Sequence, residues 1–573
     1  QDLTRIATWT RGPAFSSASA GDFTAEASFQ GVTGSAEFTV VARVDEDAAP
    51  IAKIDAPVSG GELSAPTTVI GTASDANLLR WELAYRYAGE EDFVTFAEEA
   101  FSRSSQSLAE FDPTMLLNGL YTIRLRVFDS GGNVSEDITT VQVSGQLKVG
   151  NFTLRYIDLE LPLNGIPIRL ERTYDSRDKR VGDFGVGWRL AVNSIEIRTN
   201  RELGTGWQVF RQGLTYGLLE TDAHIAAVRL PGGRVEAFEM VVSPSVSPIV
   251  PFPPFSQSVS FRPLPGTLGT LQSLEANNIS ILDGQPGPVT LRLDGDGSIY
   301  NPTLFRYTTP GGTKIDLDSI DGIQRAETPG GQVLTFTPTS ITHSNGTVVD
   351  IERDGAGRIT RITDPGGFDQ TYSYDANGDL RAHSDQEDFV TRFDYDADHN
   401  VIGITDPLGR LQARNEYDDD GRLISMTNGS GAVVRYTHDI AGRQEVKTDP
   451  GGFVTVYDFD EAGNVVRVTD PLGGVTSNTF DAAGNRTSTT NAEGETTTFT
   501  YDDRGNRLSV TSPIGGVTRY TYDGSDNVVE RVDPLGRRVR FNYDATGALV
   551  GLTNAEGDTR TQQRGSDGNV IAA

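Results

Sequence analysis

Cysteine is absent from all 573 residues. Its absence excludes disulfides, thiolate-bound zinc, iron–sulfur clusters and a cysteine nucleophile. The redox compartment stays open, because a large exported protein can be stable without disulfides. Histidine is scarce, with five copies: His224, His343, His383, His399 and His438. None has a histidine partner two or four residues away, so they read as exposed or turn residues rather than metal ligands. Basic residues are outnumbered by acidic ones, 49 to 79, giving a net charge of −30. Phosphate binding needs clustered Lys and Arg, so nucleic acid and anionic membranes are excluded as partners. No apolar run reaches the ~18 residues of a spanning helix. The N-terminus carries no signal-peptide pattern. The chain opens on Gln1-Asp2-Leu3-Thr4 and stops inside a repeat, so it reads as a segment of a longer protein.

Turn-formers are what the sequence has in quantity, with 63 Gly and 27 Pro. From about residue 353 onward they fall on a regular beat. An aromatic followed by Asp recurs at Tyr374-Asp375, Tyr395-Asp396, Tyr417-Asp418, Phe459-Asp460, Phe480-Asp481, Tyr501-Asp502, Tyr522-Asp523 and Tyr543-Asp544, with His438-Asp439 filling the one gap. Successive anchors are 21 residues apart, once 22. A glycine three residues after the Asp completes the signature at Gly378, Gly421, Gly463, Gly484, Gly505 and Gly547. Eleven residues after the aromatic, a second motif keeps the beat, as in Asp406-Pro407-Leu408-Gly409 and Asp470-Pro471-Leu472-Gly473. Asp or Asn first, Pro second and Gly fourth is the preference of a type I turn. Glycine in these places can take φ > 0, which suits a hairpin loop.

Each repeat thus holds two turns and two short stretches. Thr497-Thr498-Phe499-Thr500-Tyr501 alternates with period 2, and Val465-Val466-Arg467-Val468-Thr469 is rich in β-formers. Both read as strands, and ten residues per strand and turn leave no room for a helix. The array is therefore an antiparallel meander of about 20 strands, which curls because a sheet this long does not stay flat. Its aromatics read as cross-strand packing; stacked ladders elsewhere bind sugars or bases.

Tyr501-Asp502-Asp503-Arg504-Gly505-Asn506 together with the Asp-Pro-x-Gly turn resembles the bacterial Rhs, or YD-repeat, family and the related teneurins. The resemblance implies a hollow β-shell, often around a C-terminal toxin released by self-cleavage in a core beyond the repeats. The stretch 145–190, with Asp158-Leu159-Glu160-Leu161-Pro162, Arg172-Thr173-Tyr174-Asp175-Ser176 and Phe184-Gly185-Val186-Gly187-Trp188, resembles the segment that opens such shells. It is expected to form the first shell strands or a plug.

Residues 191–352 continue in β style as the start of the shell. The Pro-dense stretch 243–266 reads as a loop insertion, since proline removes ladder donors. Residues 50–144 read as one β-sandwich: Tyr121, Ile123, Leu125 and Val127 share a face, and Trp81 sits in a strand-like run. They resemble an immunoglobulin-like domain without its disulfide. Residues 1–44 resemble part of another, with Trp9, Phe29, Phe38 and Val40 as its core. Such modules imply a stalk. The fold expected is all-β: immunoglobulin-like β-sandwiches followed by a long antiparallel meander curling into a YD-repeat shell or spiral.

The search for chemistry yields turns. Asp129-Ser130-Gly131 matches a short aspartic-protease motif but falls at a hairpin turn. Asp294-Gly295-Asp296-Gly297-Ser298 opens like a calcium loop, yet Phe305 stands where the closing Glu is needed. No catalytic, cofactor-binding or metal residue is assigned, beyond weak Ca²⁺ binding to surface carboxylates. No phosphate loop, nucleophile elbow or dinucleotide fingerprint is present. The expectation is a non-enzymatic, secreted or cell-surface shell segment around or delivering a C-terminal effector. Its partners would be the remaining repeats and C-terminal region of the same polypeptide and the enclosed toxin. The alternative is a surface adhesion or carbohydrate-binding protein whose partner is a glycan or receptor.

Overall fold

The computed structural model describes residues 21–29, 32–40, 48–145, 148–163, 165–248, 257–281, 286–524, 526–544, 549–564 and 570–572. Among these the protein is built from strands, with a single 3₁₀ turn at Val192–Ser194. Strands Gly21–Phe29 and Val32–Val40 form a hairpin that pairs Phe23 with Phe38. Trp9 lies outside the described residues.

A sandwich follows. A five-stranded sheet contains Leu78–Tyr87, Gly119–Asp129 and Val134–Val143 at its centre, and a three-stranded sheet of Ile51–Ala56, Thr67–Ser74 and Arg103–Phe111 faces it. Alternation puts Tyr121, Ile123, Leu125 and Val127 on the inner face, where they pack with Trp81, Val69 and Phe111. The Trp81 indole donates to the Phe101 carbonyl at 2.9 Å, so its one polar atom is satisfied.

The dominant element is a 27-stranded antiparallel sheet in which neighbours in sequence are neighbours in space from Leu304–Thr308 to Thr559–Thr561. Twenty of its strands start at Ile359 or later, and seven precede it. Residue 353 is therefore no structural break. The sheet curls: nineteen strands separate the turn at 328–331 from the turn at 523–527, yet Pro329, Gly330, Asp523, Asn527 and Tyr543 line one cavity of about 810 Å³. Twist accumulated over that many strands returns the late repeats to the early ones.

The proline-dense stretch departs from expectation at its two described ends, and Pro251, Pro253 and Pro254 lie outside the described residues. Val246–Pro248 and Gln257–Pro263 are strands, paired with Thr215–Gly217 and with Phe238–Ser243. Proline is accommodated because Val246–Pro248 is the edge of its sheet and Pro263 ends its strand.

The sandwich does not stand off as a stalk. It is docked on the shell by charged contacts. Tyr87 donates to Glu196 at 2.7 Å, Arg422 pairs with Asp112 at 2.7 Å, and Lys148 donates to the Pro113 carbonyl at 2.8 Å. Glu196 also meets Arg229 at 2.8 Å and Arg180 at 3.4 Å. Burial alone would raise its pKa, but Arg229, Arg180 and Arg198 outweigh burial and hold it at about 2. Burial also brings Lys148 down to about 7.

Candidate functional site

The repeat signature is a self-capped hairpin. In seven copies, from Asp375 to Asp523 without Asp439, the Asp backbone N–H and carbonyl bracket a three-residue loop, as when Gly378 N–H donates to the Asp375 carbonyl. The Asp carboxylate then accepts the backbone N–H four residues on. Asp375, Asp396, Asp418, Asp460, Asp481, Asp502 and Asp523 do so from Asp379, Asn400, Arg422, Asn464, Asn485, Asn506 and Asn527, at 2.8–3.0 Å. The last loop residue needs φ > 0, and Gly378, Gly421, Gly463, Gly484 and Gly505 supply it at +81° to +94°. Asp388, His399 and Asp526 take that conformation without being glycine. Asp544 is the last described residue at its strand end, and Gly547 lies outside the described residues. The predicted aspartates are thus spread along one rim and do not converge on a site.

The aromatics have a role that spacing alone did not reveal. Each tyrosine hydroxyl donates to a backbone carbonyl at the start of the strand before it: Tyr374 to Ile359, Tyr395 to Leu380, Tyr417 to Val401, Tyr501 to Arg486, Tyr522 to Arg507 and Tyr543 to Val528. The ladder shifts register beside each of these residues, so an extra donor is useful there. His438 makes the same bond through Nε2 to Leu423, 2.8 Å away. Phe480 cannot, and Asn478 donates to the Val465 carbonyl in its place at 3.0 Å. Phe459 carries no such group. The available signal was the choice of Tyr or His over Phe at the anchor.

Over the repeats up to about residue 436, the concave face is plugged. Strands Thr153–Leu161, Ile168–Asp175 and Trp188–Leu190 form a small sheet whose Leu170, Tyr174 and Trp188, with Phe184 of the turn before Trp188, pack on Ile362, Leu380, Phe393, Val401 and Leu423. At its centre Arg172, fully buried, pairs with Asp158 through Nε at 2.9 Å and Nη2 at 3.1 Å. Tyr156, Phe184, Trp188, Tyr372 and Phe393 surround the guanidinium with ring centroids at 4.9–5.9 Å. Tyr372 donates to Asp158 at 2.8 Å, and Trp188 donates to the Tyr395 hydroxyl at 2.8 Å. The cation is thus caged by rings of both layers, and the charge of Asp158 overcomes burial to keep it protonated. His383 stacks on Tyr372; burial, then Arg172, lowers its pKa to about 4.

Four of the five histidines are interior, and for His224, His383 and His438 the exposed or turn reading fails. His224 stacks on Trp207 at 4.4 Å, His343 is buried, and His383 and His438 fill the inner face. His399 keeps a turn position, paired with Asp379 at 2.9 Å, and buried His343 opens the 343–347 turn, where the Gly346 N–H donates to its carbonyl at 2.9 Å and the Asn345 N–H to its Nδ1 at 3.0 Å. Each imidazole is placed by a local partner that residue spacing does not reveal. Among the described residues no group of three acidic or histidine side chains gathers to hold a metal. Asp296 is spent on the Ser298 hydroxyl at 2.7 Å, and Asp129 on the Asn133 backbone at 2.7 Å.

Beyond residue 446 the inner face is open. The inner positions are still traced by the tyrosines, but no described side chain on it is buried. Phe499, Tyr520 and Phe541 are half-buried by their neighbours alone.

Comparison with known proteins fits this architecture. The description RHS Repeat matches residues 374–411, 417–454, 444–475, 480–513, 501–538 and 522–559. Residues 374–559 are repeats of the Rhs, or YD-repeat, family. A second description, Domain of unknown function (DUF6531), matches residues 146–203 of this Rhs chain, which include the plug. No curated protein matches the chain. Among solved structures, the Tc holotoxin pore of Photorhabdus luminescens is similar at 12% identity over 79% of this chain and 29% of that one, with a TM-score of 0.31. A TcdB2–TccC3 structure is similar at 13% identity over 78% and 25%, with a TM-score of 0.33. The Rhs chain spans between a quarter and a third of the length of these solved chains. Its Rhs repeats and curled sheet make it a shell-forming protein.

Proposed function

We propose that the chain is the opening wall of a secreted or cell-surface Rhs shell that encloses a C-terminal effector. One observation carries this reading: the same sheet is sealed by its own plug up to about residue 436 and continues beyond it with an uncovered inner face. Sealing at one end and vacancy at the other is what a container wall requires. On this reading the wall is structural, with no catalysis and no cofactor within these residues, and any cleavage or toxicity is supplied elsewhere in the polypeptide. No helix among the described residues is long and apolar enough to cross a membrane. The test is to express the complete reading frame and follow its products on a gel. A discrete C-terminal fragment that co-purifies with the repeats supports containment. An intact product with no separable fragment overturns it and turns attention to adhesion, for which a glycan array is the probe.

A further inference from the structure

The plugged and open parts of the inner face are built from equivalent positions, and their chemistry differs. Under the plug, the position opposite each anchor aromatic is apolar and buried: Leu380 faces Tyr374, Val401 faces Tyr395 and Leu423 faces Tyr417. In the open part the same position is mixed: Arg486 faces Phe480 and Arg507 faces Tyr501, while Val465, Val528 and Leu549 face Phe459, Tyr522 and Tyr543. The other inward position of these strands, Ile362, His383, Ile404 and Met426 under the plug, carries Lys447 opposite Tyr436 and Arg531 opposite Tyr520, alongside Val468, Thr489, Val510 and Leu552. Arg560 continues the set opposite Leu552.

Among the described residues these cations have no carboxylate partner. Arg486 lies over Phe499 at 5.3 Å and Arg507 over Tyr520 at 5.5 Å. Among the described residues none of the five has a carboxylate within 4.0 Å, the range in which pairs such as Arg540–Glu530 occur on the outer face. Arg486, Arg507, Arg531 and Arg560 are exposed. From Val465 to Leu552 the inward positions of the strands include no Asp or Glu. In a chain of net charge −30, an inner face with unpaired cations and no carboxylates is a local reversal of sign.

We infer that the open inner face is a docking surface for an acidic polypeptide segment, held extended across the strands by guanidinium–carboxylate contacts and half-buried aromatic rings. This rests on the container reading and specifies the cargo segment that touches the wall. Charge complementarity selects carboxylates. A nucleic acid is disfavoured because tight phosphate-backbone binding takes more and denser cations, about 6–10 contacts, and the tyrosine hydroxyls are already spent on the wall. A dry apolar partner is disfavoured because it would bury unpaired guanidiniums.

The test is fluorescence anisotropy of the full 573-residue chain with a labelled glutamate/phenylalanine peptide. The triple variant Arg486→Gln, Arg507→Gln, Arg531→Gln is compared with an outer-face control, Arg467→Gln, Arg519→Gln, and urea midpoints verify that both are folded. The expected result is salt-sensitive binding that weakens about tenfold or more in the triple variant and stays within about twofold in the control. No binding of the acidic peptide, equal losses in both variants, or tighter binding of a lysine/phenylalanine peptide or a single-stranded oligonucleotide would each overturn the inference. Peptide binding without a released fragment sinks the container reading alone. A released fragment without peptide binding sinks only this assignment.

Discussion

Arg172 and Asp158 form a fully enclosed ion pair, 2.9 Å apart, at the point where the plug meets the repeat sheet. The pair ties the plug to the wall, because Asp158 also accepts from Tyr372 of the sheet. Removing one partner strands a buried charge, which costs about 3–5 kcal/mol. We therefore expect Asp158→Ala to lower the urea midpoint by that equivalent, and the double variant Arg172→Met, Asp158→Leu to recover most of it. Equal loss in single and double variants would mean that packing, not the orphaned charge, dominates.

The tyrosine anchors differ in what rests on them. Tyr395 donates to the Leu380 carbonyl at 3.0 Å and accepts from the buried Trp188 indole. Tyr395→Phe leaves both unpaired and should cost about 1–3 kcal/mol. Tyr501 donates only to Arg486, at 2.9 Å and in solvent, so Tyr501→Phe should cost less than about 1 kcal/mol. Denaturant midpoints of the two variants, measured side by side, check the ranking.

These contrasts show what the sequence could reveal. The hairpins were legible because everything that makes them lies within five residues: Asp502 caps Asn506 and Gly505 takes the positive φ. The curl of the sheet followed from strand number. The plug's centre was not legible, because Asp158 meets Tyr372 from 214 residues away and no local pattern encodes that. The proline-dense stretch misled for a related reason. Proline forbids a ladder bond only where a partner strand needs it, and Pro248 and Pro263 sit where none does. The arginines of the open face were visible as letters, but their inward direction depends on the register at each bulge.

Asp388 occupies a loop position that glycine fills in most other turns, with φ of +64°. Its backbone N–H donates to the Asp385 carbonyl at 3.1 Å, which any residue preserves. Asp388→Gly relieves the left-handed conformation and should stabilise by roughly 0.5–1 kcal/mol, after the entropy glycine adds to the unfolded chain. Asp388→Val should destabilise, since a β-branched residue is worse there than Asp. The two midpoints should move in opposite directions; a shift of the same sign in both would refute the strain argument.

Two inner-face histidines pull stability in opposite directions with pH. His383 has its pKa lowered to about 4 by burial and then by Arg172. Below the ordinary value of about 6.5 the unfolded chain binds a proton that the folded chain refuses, so its contribution is present above about pH 6.5 and lost as pH falls toward 4. At about 1.36 kcal/mol per pKa unit the loss is on the order of 3 kcal/mol. His438 behaves oppositely. Burial lowers its pKa, but the hydrogen bonds to Glu445 and Leu423 outweigh burial and raise it. Its contribution is full below about pH 6.5 and lost as pH rises through the folded-state value. His438→Tyr restores the usual anchor, which donates to the same carbonyl without titrating. The difference in urea midpoint between this variant and the parent should therefore grow in the variant's favour from about pH 6 to 8 and stay flat between about pH 4 and 5. A difference independent of pH across the upper range would show that His438 does not titrate in the fold.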